Sequence, residues 1–108
     1  MIIDITNKYF HYFKNKDIEN LSILFHENIK LRDWEIEVSG YKSVVNQNIQ
    51  IFKNLGNFDL KIIKLNQSNN IIFAEIEIVL ENKEIVKVLD KIEFDTNLKI
   101  ISITAFKG

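Results

Sequence analysis

Residues 84–95 read Glu84-Ile85-Val86-Lys87-Val88-Leu89-Asp90-Lys91-Ile92-Glu93-Phe94-Asp95. Val86, Val88, Asp90, Ile92 and Phe94 fall at every second position, so they share one face of a strand. Three more runs rich in Ile, Val and Phe surround it, at 58–67, 71–81 and 98–106. The links between them are short and polar: Asn69-Asn70, Asn82-Lys83 and Thr96-Asn97. Asparagine tolerates the left-handed backbone of tight turns, so these are hairpin signals. The four runs predict an antiparallel meander.

Upstream of the meander the period changes from two to between three and four. Ile2, Ile5, Tyr9 and Phe13 predict an amphipathic helix over 3–15, with Asp4, Lys8, His11 and Asn15 on its opposite face. Asp17 is a good N-cap for a short second helix through Phe25, with Leu21, Leu24 and Phe25 turned inward. Residues 29–38 alternate and predict one strand, with Ile29, Leu31, Asp33 and Glu35 on one face. A third helix is expected over 41–54, with Val45, Ile49 and Phe52 inward and Gly56 as its stop. Helices first and antiparallel strands after them make an α+β architecture. No linker, repeat or low-complexity tract interrupts the 108 residues, so one domain spanning 1–108 is expected.

Composition removes several classes of function. There is no Cys, which excludes disulfide scaffolds, thiol catalysis and Cys-based zinc sites. With no Pro and three Gly there is no Gly-rich phosphate loop. Net charge is −1, and thirteen Lys and one Arg are spread along the chain, unlike the clusters of a nucleic-acid domain. No apolar run approaches the ~18 residues of a membrane span, and no signal-peptide core is present, so a cytoplasmic protein is expected.

Three polar side chains break the apolar pattern. Asp90 shares its face with Val88 and Ile92, Asp33 with Ile29 and Leu31, and Tyr9 lies on the stripe of Ile5 and Phe13. An isolated buried carboxylate is costly unless paired or protonated. Two such carboxyls and a phenol facing one interior make a candidate site with perturbed ionisation. The same residues admit plainer readings: a tyrosine packed in the core with its hydroxyl at the surface, and aspartates at strand ends in water.

The chain resembles the nuclear transport factor 2-like superfamily, which includes SnoaL-like proteins and ketosteroid isomerases. The resemblance covers nearly the whole chain. It rests on Tyr9-Phe10, Asn15-Lys16-Asp17-Ile18-Glu19, Leu24-Phe25-His26-Glu27-Asn28-Ile29, Arg32-Asp33-Trp34 and Gly40. At the other end it rests on Asp90-Lys91-Ile92-Glu93-Phe94-Asp95, Lys99-Ile100 and Ala105-Phe106. It implies a cone: a curved sheet wrapped around three N-terminal helices, with a pocket at the open end. Ketosteroid isomerases use an aspartate base and an oxyanion hole made of a tyrosine and a protonated aspartate. By motif, Asp33 falls at the base, and Tyr9 and Asp90 at the oxyanion hole. Trp34 follows the base where these isomerases commonly have Pro, so a reshaped pocket is expected.

The resemblance therefore implies a SnoaL-like small-molecule pocket, working without cofactor as an isomerase that moves a proton next to a carbonyl. Its ligand would be small and apolar or aromatic, lined by Phe13, Trp34, Phe52, Phe73 and Val88, with Tyr12 a further candidate. Two other readings stay open. One is a binding module that holds such a ligand unchanged. The other is an interaction domain whose pocket is filled by Trp34, Phe52 and Phe73. Neither His11 nor His26 has metal-ligand spacing, so no metal is expected. Glu75, Glu77, Glu81 and Glu84 read as a solvated sheet edge. Ile85, Leu89, Ile101 and Ile103 are expected on the convex sheet face, where burial would take a homodimer.

Overall fold

The four runs become four long strands, and the short polar links become the turns. In the computed structural model, which describes residues 1–108, they are β3 (Phe58–Ser68), β4 (Ile71–Leu80), β5 (Ile85–Phe94) and β6 (Ile100–Lys107). Asn69, Lys83 and Leu98 adopt positive φ at the three turns. Asp95 Oδ1 braces the last turn by accepting from the Asn97 and Lys99 N–H groups at 2.9 and 2.8 Å.

Ahead of the meander lie α1 (Ile2–Lys14), α2 (Ile18–Ile23), β1 (Phe25–Arg32), β2 (Glu37–Ser39) and α3 (Tyr41–Leu55). The six strands run in the order β2-β1-β6-β5-β4-β3. All neighbours are antiparallel except β1 and β6, which are parallel, so the sheet is mixed where an antiparallel one was expected. Register shifts in β3, between β5 and β6, and between β1 and β6 bend the sheet, because an extra residue on one strand kinks it. Helix α1 lies against β3 and β4, and α3 against β1 and β2. The core between helices and sheet includes Phe10, Leu21, Ile29, Ile72, Phe94 and Ile100, each at most 2 % exposed.

Two expected boundaries move, for local reasons. Helix α2 stops at Ile23, not Phe25. The Leu24 carbonyl accepts from the Ile100 N–H at 2.9 Å and the Ile23 carbonyl from Lys99 Nζ at 2.7 Å, so the helix end is satisfied by β6. Phe25 then pairs with Ile100 as the first residue of β1. The expected strand 29–38 is instead a hairpin, with β2 folded back on β1. Its turn is built by Asp33, whose N–H donates to the Ile36 carbonyl at 3.0 Å.

Two face assignments also change. On α3 the buried stripe is Val44, Asn48 and Phe52, one residue out of phase with the expected Val45 and Ile49, which are half-buried. On β6, Ile103 is 2 % exposed and faces inward opposite Ile92, so it leaves the expected convex patch. Ile101 falls at the register shift and is half-buried. The large apolar groups left on the outer face are Ile85, Leu89 and Phe106. No helix is long and apolar enough to cross a membrane.

Candidate functional site

A cavity of about 280 Å3 opens between α1, α3 and the inner sheet face. Its walls are mainly apolar. Phe10 and Phe13 come from α1, Ile51 and Leu55 from α3, and Ile76 and Val88 from the sheet. Tyr9, Asp33 and Asp90, read from the sequence as one constellation, all line it. They reach it from different elements.

Asp90 is on the floor. The pleat of β5 turns it to the same side as Val88 and Ile92, and it is 7 % exposed. Its neighbour on β4 is Ala74 and on β6 is Ala105. These small side chains leave room above the carboxyl. Burial disfavours its charged form and lifts its pKa from 3.8 to about 7. No hydrogen bond or opposite charge offsets that penalty.

Tyr9 is on the wall formed by α1 and is 4 % exposed. Phe10 at 5.0 Å and Phe13 at 6.1 Å flank its ring. Burial raises its pKa well above the usual phenol value, and the charge on Asp90 raises it further. That coupling places the two groups within electrostatic reach of each other. Both therefore favour their neutral forms, and both are then hydrogen-bond donors.

Asp33 is at the mouth and half-buried. Its Oδ1 accepts from the Glu35 and Ile36 N–H groups at 2.7 and 2.8 Å. The side chain therefore makes the turn, and its direction comes from that turn and not from strand alternation. Oδ2 is left without a protein donor. Trp34, next along the turn, is 46 % exposed and also lines the mouth, with Lys107 Nζ 5.8 Å from its ring centroid.

Of the expected ligand-contacting residues, Phe13, Trp34 and Val88 line the cavity. Phe52 does not: it is buried behind Phe13, with ring centroids 5.0 Å apart and edge to face. Phe73 does not either, because it lies on the other side of the sheet. Ala74 is the residue opposite Asp90, so its neighbour Phe73, opposite Lys91, points outward. With Trp34 at the mouth, Phe52 behind the wall and Phe73 outside, these three do not plug the cavity. The histidines lie elsewhere: His11 is exposed on α1, and His26 on β1 is 3.7 Å from Asp95.

Among the buried polar residues of the lining, Asn48 escaped the sequence reading. Asn48 is 2 % exposed on α3 and faces the cavity. Its signal is the helical counterpart of the one that flagged Asp90: Asn48 lies four residues from both Val44 and Phe52, the buried residues of its stripe.

No protein-family model and no curated protein matches the sequence. Solved structures do match the fold. An NTF2-like protein of unknown function from Cytophaga hutchinsonii superposes with a TM-score of 0.83 at 12% identity, covering 100% of this chain and 90% of the other. A proposed ketosteroid isomerase from Kribbella flavida gives 0.86 at 15% identity, over 97% and 76%. A proposed SnoaL-like polyketide cyclase from Shewanella putrefaciens gives 0.83 at 11% identity, over 98% and 79%. The chain therefore has the NTF2-like fold, an α+β roll with its cavity at the open end.

Proposed function

We propose that the cavity binds a small carbonyl compound and moves a proton beside its carbonyl, as in a cofactor-independent isomerase. The observation that carries this reading is Asp90, a buried acid without a protein partner, electrostatically coupled to Tyr9 in an apolar cavity. A neutral carboxyl and a phenol can both donate to one oxygen. Donors fixed in an apolar cavity stabilise an enolate oxygen far better than water does. Asp33 Oδ2 takes the proton from the carbon next to the carbonyl. The C–H electron pair becomes the enolate double bond, and the carbonyl pair moves to oxygen. Return of the proton to the far carbon of a β,γ-unsaturated ketone gives the conjugated enone and restores Asp33.

The test has two parts. In a carboxyl-carbon NMR titration Asp90 should have its midpoint near 7. A midpoint in the ordinary carboxylate range would remove the preformed donor pair. With 3-cyclohexenone as the probe, Tyr9→Phe should slow isomerisation by about 10²–10³-fold. Asp33→Asn should slow it by about 10²–10⁴-fold. Equal rates in wild type and both variants would refute the assigned roles.

A second reading is favoured by one detail. Asp33 Oδ1 is already committed to two backbone donors, so Asp33 has a structural reason to be present. On this reading the cavity holds its ligand unchanged. A ketone that binds, yet exchanges no α-proton with deuterated solvent, would select it.

The outer sheet face is the surface we assign to a second copy of the chain. Leu89 and Phe106 are paired there, beside Glu75 and Glu77 on β4 and Lys87 and Lys91 on β5. Opposite charges on neighbouring strands let a two-fold related copy set Glu against Lys. A monomer by light scattering at micromolar concentration would dismiss this dimer.

A further inference from the structure

Asn48 is the one buried polar group in the cavity wall to which the proposed reaction gives no work. A primary amide carries two N–H donors and one acceptor oxygen. One N–H donates to the Val44 carbonyl at 2.9 Å, along the helix. The amide oxygen has no partner in the protein, and since no unpartnered side-chain oxygen or nitrogen is sealed off, that oxygen reaches open space. The free side of the amide therefore opens onto the cavity that the residue lines. No hydrogen bond joins it to Tyr9 or Asp90, and it contributes to neither of their shifts. The buried polar groups of the cavity come from different elements, Tyr9 on α1, Asp90 on β5 and Asn48 on α3, while Asp33, Glu35, Asn54 and Lys107 add less buried ones.

Size limits what can span them. A cavity of about 150 Å3 accepts benzene, and drug-sized ligands use roughly 300–1,000 Å3. At about 280 Å3 this one suits one or two rings.

We propose that the ligand is a compact ring compound with two oxygen functions, a carbonyl at the Tyr9–Asp90 pole and a hydroxyl read by Asn48. The proposal rests on the carbonyl-binding reading above and adds the class of compound. A hydroxyl fits beside Asn48 because it can donate to the amide oxygen. Water can fill the same role. A ligand that displaces the water with a C–H leaves the amide oxygen unpaired, which weakens binding roughly tenfold to a hundredfold. Asn48 is thus a specificity residue: it selects hydroxylated rings over their bare analogues.

The experiment uses phenol, catechol, resorcinol and hydroquinone as probes, titrated calorimetrically into the whole protein. Each can place one hydroxyl at the Tyr9–Asp90 pole, and the last three carry a second at different angles. At least one dihydroxybenzene should bind about tenfold or more tightly than phenol. In Asn48→Leu that ratio should collapse to near one. In wild type the Asn48 side-chain amide signals should shift with the preferred diol and not with phenol. That measurement needs no variant, and Asn48→Ser provides a smaller replacement if leucine does not fold. Diols that bind no better than phenol, or a preference that survives in Asn48→Leu, would overturn the proposal while leaving the carbonyl pole standing. Failure of all four probes to bind at millimolar concentration would instead defeat the reading of the cavity as a ligand site, and this proposal with it.

Discussion

At the mouth of the cavity, Asp33 accepts two backbone N–H groups and stays partly in water; on the floor, Asp90 has neither a donor nor solvent to speak of. The residue type is the same and the cavity is the same. The mouth was folded around its carboxylate, so removing it breaks a turn. The floor tolerates its carboxyl at a cost that depends on pH. Local backbone sets the first, and burial sets the second.

The contrast can be broken most sharply at Asp90. Its pKa is 3.8 unfolded and about 7 folded, so the folded state holds a proton that the unfolded chain has lost between those values. The contribution of Asp90 to stability is then greatest below pH 4 and declines as pH rises toward 7, by up to about 4 kcal/mol. Asp90→Asn carries no such charge. Denaturant unfolding at pH 4, 5.5 and 7.5 should show the variant gaining on wild type across that window. A constant difference would mean that the floor does not desolvate its acid.

Asp33 should behave differently. Asp33→Ala leaves the Glu35 and Ile36 N–H groups without their acceptor and should cost about 1–2 kcal/mol, seen as a lower Tm. Asp33→Asn retains an oxygen in the same position and should recover most of that loss. If alanine and asparagine were equally destabilising, the turn would not depend on the carbonyl-like oxygen. The smallest effect is expected at Trp34. It is 46 % exposed, so Trp34→Ala should change the unfolding free energy by no more than about 0.5 kcal/mol. A larger loss would show that the mouth is braced through the indole.

These differences also explain what the sequence could reveal. Asp90 was legible because β5 alternates cleanly, and a carboxyl among Val88, Ile92 and Phe94 stands out. The hairpin turns were legible because asparagine lies in each of them, although the left-handed residue is an asparagine only at Asn69 and is Lys83 and Leu98 at the other two. Phe73 was misread although its face was legible: Glu75 and Glu77, two and four positions on, share that face and mark it as outward, and only the aromatic ring suggested otherwise. Asp33 was placed in the right cavity for the wrong reason. The stretch from Asp33 to Ile36 keeps alternating and contains no Gly or Pro, so its turn, made by side-chain hydrogen bonds, left no usual mark. Asn48 was lost among the asparagines of α3, where Asn46 and Asn54 are exposed and only the helical phase separates them from it. The parallel β1–β6 pair joins residues some seventy positions apart and had no local signature.

The position of Trp34 has an optical consequence. It is the single tryptophan of the chain, and its indole stands at the mouth of the cavity with the Lys107 ammonium beside it. Indole emission responds to water and to nearby charge, and here one fluorophore supplies the tryptophan signal. A molecule passing into the cavity must displace water from that ring or disturb the lysine above it. The protein therefore carries its own gauge of occupancy, and candidate ligands can be ranked by intrinsic fluorescence without a label or a coupled reaction.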